Sequence, residues 1–512
     1  MKYFFTALII FLGINNAKAF NTIEKLKRTK TRETIIRIFY PNTTNEDTLV
    51  IYQSALGGIL VDIQHLELLK SVKSGRDKRG WFNFKITPLK SDVSPYFYVC
   101  ISQLPRRKIE LQSKNTNFGY EMIPFFLLKN GDNIVIQVTP KAVLDLGRGY
   151  RHNFSYRISG KGALMQRLRI SLDSIQYHSS PDVLVDSNLI YNKQNYANKI
   201  IDNSLSYLKK YQHELTVADY AQLKAYCVFS NKSQETLLLR HLYKKDFAKA
   251  TDKQKKTFLN SYDSTYDALK GQIEPKTYFR SKDFIESEFE KVILHSKVLN
   301  GDHYLDSLFK LIKKENSGEI RDRLYVEYLS SIYGTDIRPE QLEEAIITAS
   351  NPICKKYFMQ RAKRIPGNSA YNFNLQDSKG NMVKLSDFKG KVILIDFWYT
   401  GCSSCINFYQ NVLSRVEAKF ESDTNVVFIT VSIDKVREVW ERTLIKGQYT
   451  SSKVINLYTN GQGVANDVIK YYGIHSFPQP ILIGKDQRLK VFDNTLRVEE
   501  NVMSAIGKAK ME

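Results

Sequence analysis

Long apolar runs are scarce in this sequence of 512 residues. After the first twenty residues, no segment approaches the roughly 18 consecutive apolar residues of a membrane-crossing helix. The sequence has no second CxxC pair and no HxxxH pair, so the usual four-ligand zinc patterns are absent. No fixed repeat length indicates a solenoid. These absences argue against a polytopic membrane protein, a zinc-binding domain and a repeat array, and we expect neither a metal nor a cofactor.

The composition is that of an ordinary folded protein, with 43% hydrophobic and 25% charged residues. The length predicts about three domains. The net charge of +22 lies mostly upstream, because residues 366–512 hold 18 Lys and Arg against 15 Asp and Glu. The densest basic stretch, Lys25 to Arg32, is typical of a solvated charge run. We expect no nucleic-acid partner, because the chain carries an export signal.

That signal is predicted over residues 1–19. A charged start at Lys2 precedes an apolar run from Phe4 to Ile14, and the small-x-small pattern ending at Ala19 indicates cleavage there. No cysteine lies near this point to take a lipid. We therefore expect a periplasmic protein, released from its signal peptide, in an oxidising compartment. An uncleaved membrane anchor is the alternative.

Three patterns of hydrophobicity follow one another along the chain. Residues 20–165 alternate short apolar runs with Gly, Asn and Pro, which predicts a β-rich domain, most simply a sandwich. Residues 166–365 change to helical spacing, as at Ile200, Ile201, Leu205 and Leu208. Residues 366–512 alternate buried strands with helices. The predicted fold class is multidomain: an N-terminal β-sandwich-like domain, an all-α middle region and a C-terminal α/β domain.

The C-terminal domain begins where Pro366 and Gly367 end the helical pattern. A hairpin turning at Ser378-Lys379-Gly380 comes first. The buried strand KVILIDFW, a helix over 402–420 and a second buried strand, NVVFITVSID, follow. Two helices, a hairpin and a closing helix complete the prediction.

Two cysteines stand three positions apart at the predicted start of that helix. Cys402 and Cys405 share one face of the first turn and can close a small disulfide. The N–H groups and dipole at a helix N-terminus stabilise a thiolate and lower its pKa. We therefore predict that Cys402 attacks and that Cys405 resolves.

Other uses of a CxxC pair are less consistent with this sequence. Haem attachment requires a following His, and the next residue is Ile406. A purely structural disulfide would gain little from closing so short a loop. Cys100, Cys227 and Cys354 cannot all pair with one another, and we expect them to be buried, inert thiols.

The stretch VILIDFWYTGCSSC resembles the active-site strand, turn and helix of the thioredoxin fold. With the preceding GNMVKLSDFKGK, it resembles the TlpA/ResA group of exported thiol-disulfide oxidoreductases, within the redoxin superfamily. The resemblance covers about residues 366–512 and implies a C-terminal thioredoxin fold. The upstream modules resemble those that precede such domains in Bacteroidetes-type proteins, a likeness that implies no activity.

The resemblance implies roles for four further residues. Asp396 matches a buried carboxylate that exchanges a proton with the resolving thiol, and burial would raise its pKa accordingly. Trp398 matches the aromatic residue beside the active site. Pro478 matches a cis-proline that faces the disulfide, with Phe477 before it. An exposed strand-end Asp396 and an ordinary loop proline remain alternatives.

Two nearby residues are weaker candidates for the same site. Pro480 lies two positions after Pro478 and competes with it for the cis bond. His475 could flank the groove, although a surface loop histidine is the simpler interpretation. Gly401 and the Ser403-Ser404 dipeptide depart from the family pattern. Because the dipeptide helps to set the redox potential, the potential cannot be transferred from the family.

The predicted function is an exported thiol-disulfide oxidoreductase that reduces disulfides of envelope proteins. The resemblance implies partners such as apocytochrome c cysteines and a membrane thiol reductase as electron donor. Two alternatives stay open. One is a thiol peroxidase of the same superfamily, although Tyr399 stands where that class has Thr. The other is a binding protein in which the cysteine pair is incidental.

Overall fold

A computed structural model describes most of the chain after residue 32. The described residues are 33–40, 48–54, 69–87, 96–103, 120–140, 154–179, 189–246, 250–278, 281–301, 304–315, 318–331, 338–474 and 476–512. The predicted signal peptide lies outside them. Within these ranges no helix combines the length and the apolar character needed to cross a membrane.

The described residues between 34 and 161 form two four-stranded sheets, in the orders β4-β1-β7-β8 and β3-β2-β5-β6. Buried side chains from both sheets, among them Ile36, Leu49 and Leu128, belong to one apolar cluster. The packing of the whole region as a sandwich stays a prediction. The strands are β1 (Thr34–Phe39), β2 (Thr48–Ser54), β3 (Leu69–Gly75), β4 (Trp81–Ile86), β5 (Tyr96–Gln103), β6 (Tyr120–Lys129), β7 (Asn133–Pro140) and β8 (Phe154–Lys161).

Helices follow from Ala163 onward. Ile200, Ile201 and Leu208 are buried, as their helical spacing predicts, and Leu205 is partly buried. That the whole region is helical, and where its domain boundaries fall, stay predictions. The described helices are α1 (Ala163–Ser179), α2 (Leu189–Lys209), α3 (Val217–Asp246), α4 (Asp252–Lys270), α5 (Pro275–Tyr278), α6 (Lys282–Asn300), α7 (Tyr304–Glu315), α8 (Gly318–Ser331), α9 (Pro339–Thr348) and α10 (Pro352–Ala362).

A seven-stranded sheet organises the C-terminal region, in the order β10-β9-β13-β12-β11-β14-β15. Its centre is parallel, since β11 pairs with β12 and β12 with β13 in the same direction. The prediction of a C-terminal α/β thioredoxin fold is confirmed. The sequence analysis missed the short strand β13. The strands are β9 (Asn374–Asp377), β10 (Met382–Lys384), β11 (Val392–Trp398), β12 (Val426–Ser432), β13 (Ile455–Tyr458), β14 (Gln479–Ile483) and β15 (Leu489–Val491).

The strand β11 is buried along its whole length, because helices cover both faces of this sheet. Ile393, Ile395 and Phe397 belong to the apolar cluster on one face. Val392 and Leu394 belong to the cluster on the other. The helices are α11 (Ser403–Phe408), which continues through a π turn (Tyr409–Leu413) into α12 (Ser414–Lys419), then α13 (Arg437–Lys446), α14 (Asp467–Tyr472) and α15 (Glu499–Met511).

The last turn of α10 and the chain just after it hold the C-terminal end of α14. The Gln360 side-chain amide donates to the carbonyls of Lys470 and Tyr471, at 2.8 and 2.7 Å. The Arg364 guanidinium donates to the carbonyls of Tyr472 and Gly473. The last carbonyls of a helix lack partners within the helix, and a cation there also complements the helix dipole. Residues before 366 therefore stabilise a helix that leads towards Pro478.

We expect Arg364→Ala to loosen the end of α14. The variant loses two charge-assisted hydrogen bonds. The backbone amides of residues 468–474 should therefore exchange with solvent at least about tenfold faster, which corresponds to a loss of ~1.4 kcal/mol in the free energy of local opening. Hydrogen–deuterium exchange of the full-length protein measures this. Lys389→Ala removes an exposed cation of the same domain and is the control. Unchanged exchange in the Arg364 variant would show that these bonds do not support the helix.

Candidate active site

The strand β11 and the helix after it place Cys402. The strand ends at Trp398, and the chain turns through Gly401, whose φ of 103° favours glycine. Cys402 is the N-cap residue of α11, and the helix runs on to Lys419. The first cysteine therefore stands where unpaired N–H groups meet the positive end of the helix dipole.

Cys402 and Cys405 are joined by a disulfide, with their Cα atoms 5.2 Å apart. Both are buried, with 3% and 1% of their surface exposed. The backbone N–H of Cys405 points at the Cys402 sulfur, 3.1 Å away. A hydrogen bond of this kind stabilises a thiolate on Cys402 once the disulfide is reduced.

The other cysteines do not join this pair. Cys227 and Cys354 are buried in the helical region, and burial raises the pKa of the Cys227 thiol. The side chain of Cys100 lies outside the described part of the structure, as does His475.

The loop before β14 faces the disulfide and carries the Phe477–Pro478 cis bond. The Ser404 hydroxyl donates to the Phe477 carbonyl at 3.1 Å and lies 3.4 Å from the Cys402 sulfur. The Arg497 guanidinium donates to the Pro478 carbonyl at 2.5 Å. The Phe477 ring packs edge-on against Tyr399. Contacts from three separate segments thus hold this loop beside the cysteines.

Asp396 lies two residues before the end of β11, on the face it shares with Val392 and Leu394. Only 2% of the residue is exposed, and its Oδ1 atom has no hydrogen-bond partner. Burial raises the pKa of the Asp396 carboxyl group well above its ordinary value, and the positive charge of Arg497 only partly opposes this. In the neighbouring strand, Pro480 pairs with Asp396 inside β14.

Trp398 supports the active-site loop from within the domain. Its ring is fully buried and stacks on Tyr449, with centroids 4.8 Å apart. The Tyr449 hydroxyl accepts the backbone N–H of Gly401 at 2.7 Å. Trp398 therefore supports the loop indirectly, through Tyr449.

The sequence analysis missed three residues that shape this site. Asp434 accepts the N–H and hydroxyl of Thr400, at 2.9 and 2.7 Å, and so fixes the turn before Cys402. Its position was predictable, because it follows β12, and the ends of parallel strands meet at one edge of a sheet. Tyr449 and Arg497 lie far from the cysteines in sequence and carry no local signal.

The arrangement supplies a reversible dithiol, an uncharged donor beside the first sulfur and a buried acid. Among the described residues, no group of three or more His, Cys, Asp or Glu side chains is arranged to hold a metal ion. The cysteine pair itself can carry out thiol–disulfide exchange.

Comparisons with known proteins agree with this geometry. The Redoxin family matches residues 365–488. The thiol-disulfide oxidoreductase ResA of Bacillus thuringiensis subsp. konkukian is 28% identical over 133 residues, which cover 26% of this chain and 72% of that protein. ResA of Bacillus subtilis is 30% identical over 70 residues, covering 14% and 39% of the two chains.

Solved structures from Bacteroides vulgatus are also similar. The thioredoxin domain of a thiol-disulfide oxidoreductase is 27% identical, with 28% of this chain and 96% of that chain covered and a TM-score of 0.25. A second structure, a putative thiol-disulfide oxidoreductase, is 28% identical, with coverage of 29% and 99% and a TM-score of 0.26. From its redoxin domain and its ResA relatives, we conclude that the chain is a TlpA/ResA-like thiol-disulfide oxidoreductase in its C-terminal region.

Proposed function

We propose that this protein is exported and reduces disulfides of envelope proteins through a dithiol–disulfide cycle of Cys402 and Cys405. Export rests on the signal sequence predicted over residues 1–19. The expected partners are disulfide-containing envelope proteins, which accept electrons, and a membrane thiol reductase, which supplies them.

One observation carries the proposal more than any other. The Cys402 sulfur lies at a helix N-terminus and accepts the backbone N–H of Cys405. The Ser404 hydroxyl of the same turn donates a hydrogen bond to the Phe477 carbonyl. A nucleophilic sulfur, its resolving partner and a peptide-presenting loop thus lie together. This combination suits exchange with an extended cysteine-containing segment.

The proposed cycle balances in electrons and protons. The Cys402 thiolate attacks one sulfur of a partner disulfide, and the other sulfur leaves as a thiolate that takes a proton from water. Cys405 then gives its proton to Asp396 and attacks the Cys402 sulfur. The products are the Cys402–Cys405 disulfide and a second partner thiolate, which takes a proton from water, so two electrons pass to the partner. Asp396 releases the proton that it received before the next turn of the cycle. The membrane reductase returns two electrons to this protein.

The surroundings of Cys402 favour the reducing direction. Strong oxidants owe their power to a very stable thiolate. Here the sulfur is contacted by the Cys405 N–H and the Ser404 hydroxyl, both uncharged. No Lys or Arg lies between residues 392 and 414. The helix terminus alone should lower the pKa of Cys402 moderately.

A thiol peroxidase fits the site less well. Tyr399 stands at the position where a peroxidase needs Thr, and its ring packs on Phe477. The neighbouring Thr400 hydroxyl is already committed to Asp434. Rapid consumption of hydrogen peroxide by the reduced protein would favour that alternative.

The first prediction separates the roles of the two cysteines. Cys402→Ser should abolish reduction of a disulfide substrate, because the attacking thiolate is lost. Cys405→Ser should still attack but stall as a mixed disulfide, which non-reducing electrophoresis detects and mass spectrometry identifies. Cys227→Ser, which removes a buried free thiol, is the control. If Cys405 alkylates faster than Cys402 at pH 6, the assigned order is wrong.

The second prediction concerns Asp396. Asp396→Asn should slow turnover near neutral pH by about tenfold to a hundredfold, because the resolving thiol loses its proton acceptor. Turnover of a small disulfide as a function of pH measures this. A pH–rate profile identical to that of the unaltered protein would remove Asp396 from the mechanism.

The same variant should also change the free energy of unfolding of the C-terminal domain, in a direction that follows from the raised pKa of Asp396. Burial raises the pKa of Asp396 in the folded state, so the folded protein keeps the proton over a pH range in which the unfolded chain has lost it. Stability therefore falls as the pH rises through that range. Asp396→Asn should remove this loss, giving a C-terminal domain that is more stable than the unaltered one at neutral and higher pH.

The third prediction concerns the redox potential. Titration against glutathione should give a value nearer the ~−270 mV of thioredoxin than the ~−120 mV of a strong oxidant. The reason is that, among the described residues, the groups that contact the Cys402 sulfur are the uncharged Cys405 N–H and Ser404 hydroxyl. A potential above roughly −150 mV would reverse the direction and make the protein an oxidase.

A further inference from the structure

The hydroxyl group of Ser404 lies between the first cysteine and the cis-proline loop. Its oxygen is 3.1 Å from the carbonyl oxygen of Phe477 and 3.4 Å from the sulfur of Cys402. Both of these atoms can accept a hydrogen bond, whereas a serine hydroxyl has a single proton to donate. The carbonyl and the sulfur therefore compete for that proton.

The charge on the Cys402 sulfur decides which acceptor is the stronger. In the disulfide the sulfur is uncharged and a weak acceptor, so the hydroxyl donates to the Phe477 carbonyl. Reduction produces a thiolate on Cys402, at the N-terminus of a helix. Hydrogen bonds to a charged acceptor are stronger than those between neutral groups. The Ser404 hydroxyl should therefore turn from the carbonyl to the sulfur when the disulfide opens, and the proton stays on its own oxygen throughout.

The loop that contains the Phe477 carbonyl has other contacts that hold it in place. The Arg497 guanidinium donates to the next carbonyl, that of Pro478, at 2.5 Å. The Phe477 ring packs edge-on against Tyr399, with centroids 5.6 Å apart. Strand β14, which begins directly after Pro478, is paired with β11. Loss of the bond from Ser404 would therefore free the carbonyl and leave the loop where it is.

A free backbone carbonyl at this point can accept a backbone N–H from the segment that brings a disulfide to Cys402. Extended peptides often bind through main-chain hydrogen bonds, which do not depend on the side chains of the partner. Ser404 is exposed and adjoins the sulfur. A segment that reaches Cys402 therefore reaches Ser404 and the Phe477 carbonyl as well.

We propose that Ser404 is a positioning residue whose hydroxyl donates to the Phe477 carbonyl in the oxidised protein and to the Cys402 thiolate in the reduced protein. In the reduced protein the carbonyl is then open to a backbone N–H of the partner's cysteine-containing segment. When the disulfide closes again, the hydroxyl returns to the carbonyl and displaces that N–H. The site thus binds the disulfide partner and releases the reduced product. The inference deepens the proposed function and rests on it.

An isotope label isolates the carbonyl in question. The dipeptide Phe–Pro occurs once in the sequence, at 477–478. Phenylalanine labelled with heavy carbon at its carbonyl and proline labelled with heavy nitrogen therefore give a single directly bonded pair. Solid-state NMR of the full-length protein selects the Phe477 carbonyl carbon through that pair, and its chemical shift depends on the hydrogen bond that the carbonyl accepts. The shift should differ between the oxidised and the reduced protein.

Variants of the dipeptide between the cysteines give the matched comparison. In Ser404→Ala the difference between the two redox states should be largely lost, whereas Ser404→Thr keeps a hydroxyl and should retain it. Ser403→Ala is the control, because Ser403 is exposed on the same helical turn and, in the described part of the chain, its side chain forms no hydrogen bond. If Ser403→Ala loses the difference as fully as Ser404→Ala does, the inference is overturned.

The pKa of Cys402 gives a second readout that a merely structural role would not move. A hydrogen bond from Ser404 stabilises the thiolate, so the pKa of Cys402 should rise in Ser404→Ala and stay unchanged in Ser403→Ala. The pH dependence of alkylation of Cys402 by iodoacetamide measures it. An unchanged pKa in Ser404→Ala would show that the thiolate does not accept the hydroxyl.

Binding of a peptide tests the consequence for the partner. The probe is a fluorescent extended peptide with one S-methylcysteine, which cannot exchange, and anisotropy measures its affinity for the full-length protein. The unaltered protein should bind it about threefold to tenfold more tightly when reduced, the range expected for one hydrogen bond between neutral groups. In Ser404→Ala the two affinities should be equal, because the carbonyl is open in both states. The same peptide with N-methylated backbone nitrogens beside its cysteine lacks the donor and should show no preference.

The outcomes separate this inference from the function on which it rests. A Phe477 carbonyl shift that does not change on reduction, or that changes equally in Ser404→Ala, would overturn the role of Ser404. Equal affinity of the oxidised and reduced unaltered protein for the peptide would do the same. Dithiobis(nitrobenzoate) is an aromatic disulfide without a peptide backbone, and its released thiolate is coloured. If the reduced unaltered protein releases no coloured thiolate from it, the proposed function itself fails.

Discussion

The carboxyl group of Asp396 lies on an inner strand of a seven-stranded sheet, where burial makes its ionisation costly in free energy and so raises its pKa. Its own strand is buried along its length, and its Oδ1 atom has no partner. The positive charge of Arg497 opposes the rise in its pKa, and that same guanidinium donates to the Pro478 carbonyl. The acid and the cis-proline loop therefore share an electrostatic neighbour.

The groups that hold the cysteine turn are the Tyr449 and Ser404 hydroxyls and the Asp434 carboxyl group, and none of them is a cation. Tyr449 and Asp434 accept the N–H groups of Gly401 and Thr400, and Ser404 joins the turn to the carbonyl of Phe477. Such contacts fix geometry without adding charge beside the sulfur. A site built in this way can present a reactive thiol while keeping its thiolate only moderately stabilised, which is the balance that a reductant needs.

The upstream region meets this site through one helix end. Gln360 and Arg364 cap α14, and a short loop leads from that helix to the cis bond before Pro478. The same segment connects to the helical region, so residues of the upstream chain contribute to the stability of the helix that precedes this loop. The predicted boundary at residue 366 falls just after these capping residues.

Much of the C-terminal fold was predicted from sequence patterns that span only a few residues. The apolar run of β11, the helical spacing after Cys402 and the hairpin turn at Gly380 each follow from periodicity and turn chemistry within a few residues. The structure has elements at all three positions. The short strand β13 was missed because its four residues are too few to show a period. Residues such as Arg497 were missed because nothing near them in sequence refers to the cysteines.

The sequence alone determined that a CxxC pair starts a helix after a buried strand, and hence that this thiol pair is the candidate reactive group. The tertiary structure decided which distant side chains surround it. Strand order placed Thr430 beside Asp396 and Asn456 beside Thr430. Chain packing brought Ser451 to Glu417 and Arg497 to Pro478. The physical reason is one of range. Backbone periodicity acts over a few residues, whereas desolvation and charge act between groups that only the folded chain brings together.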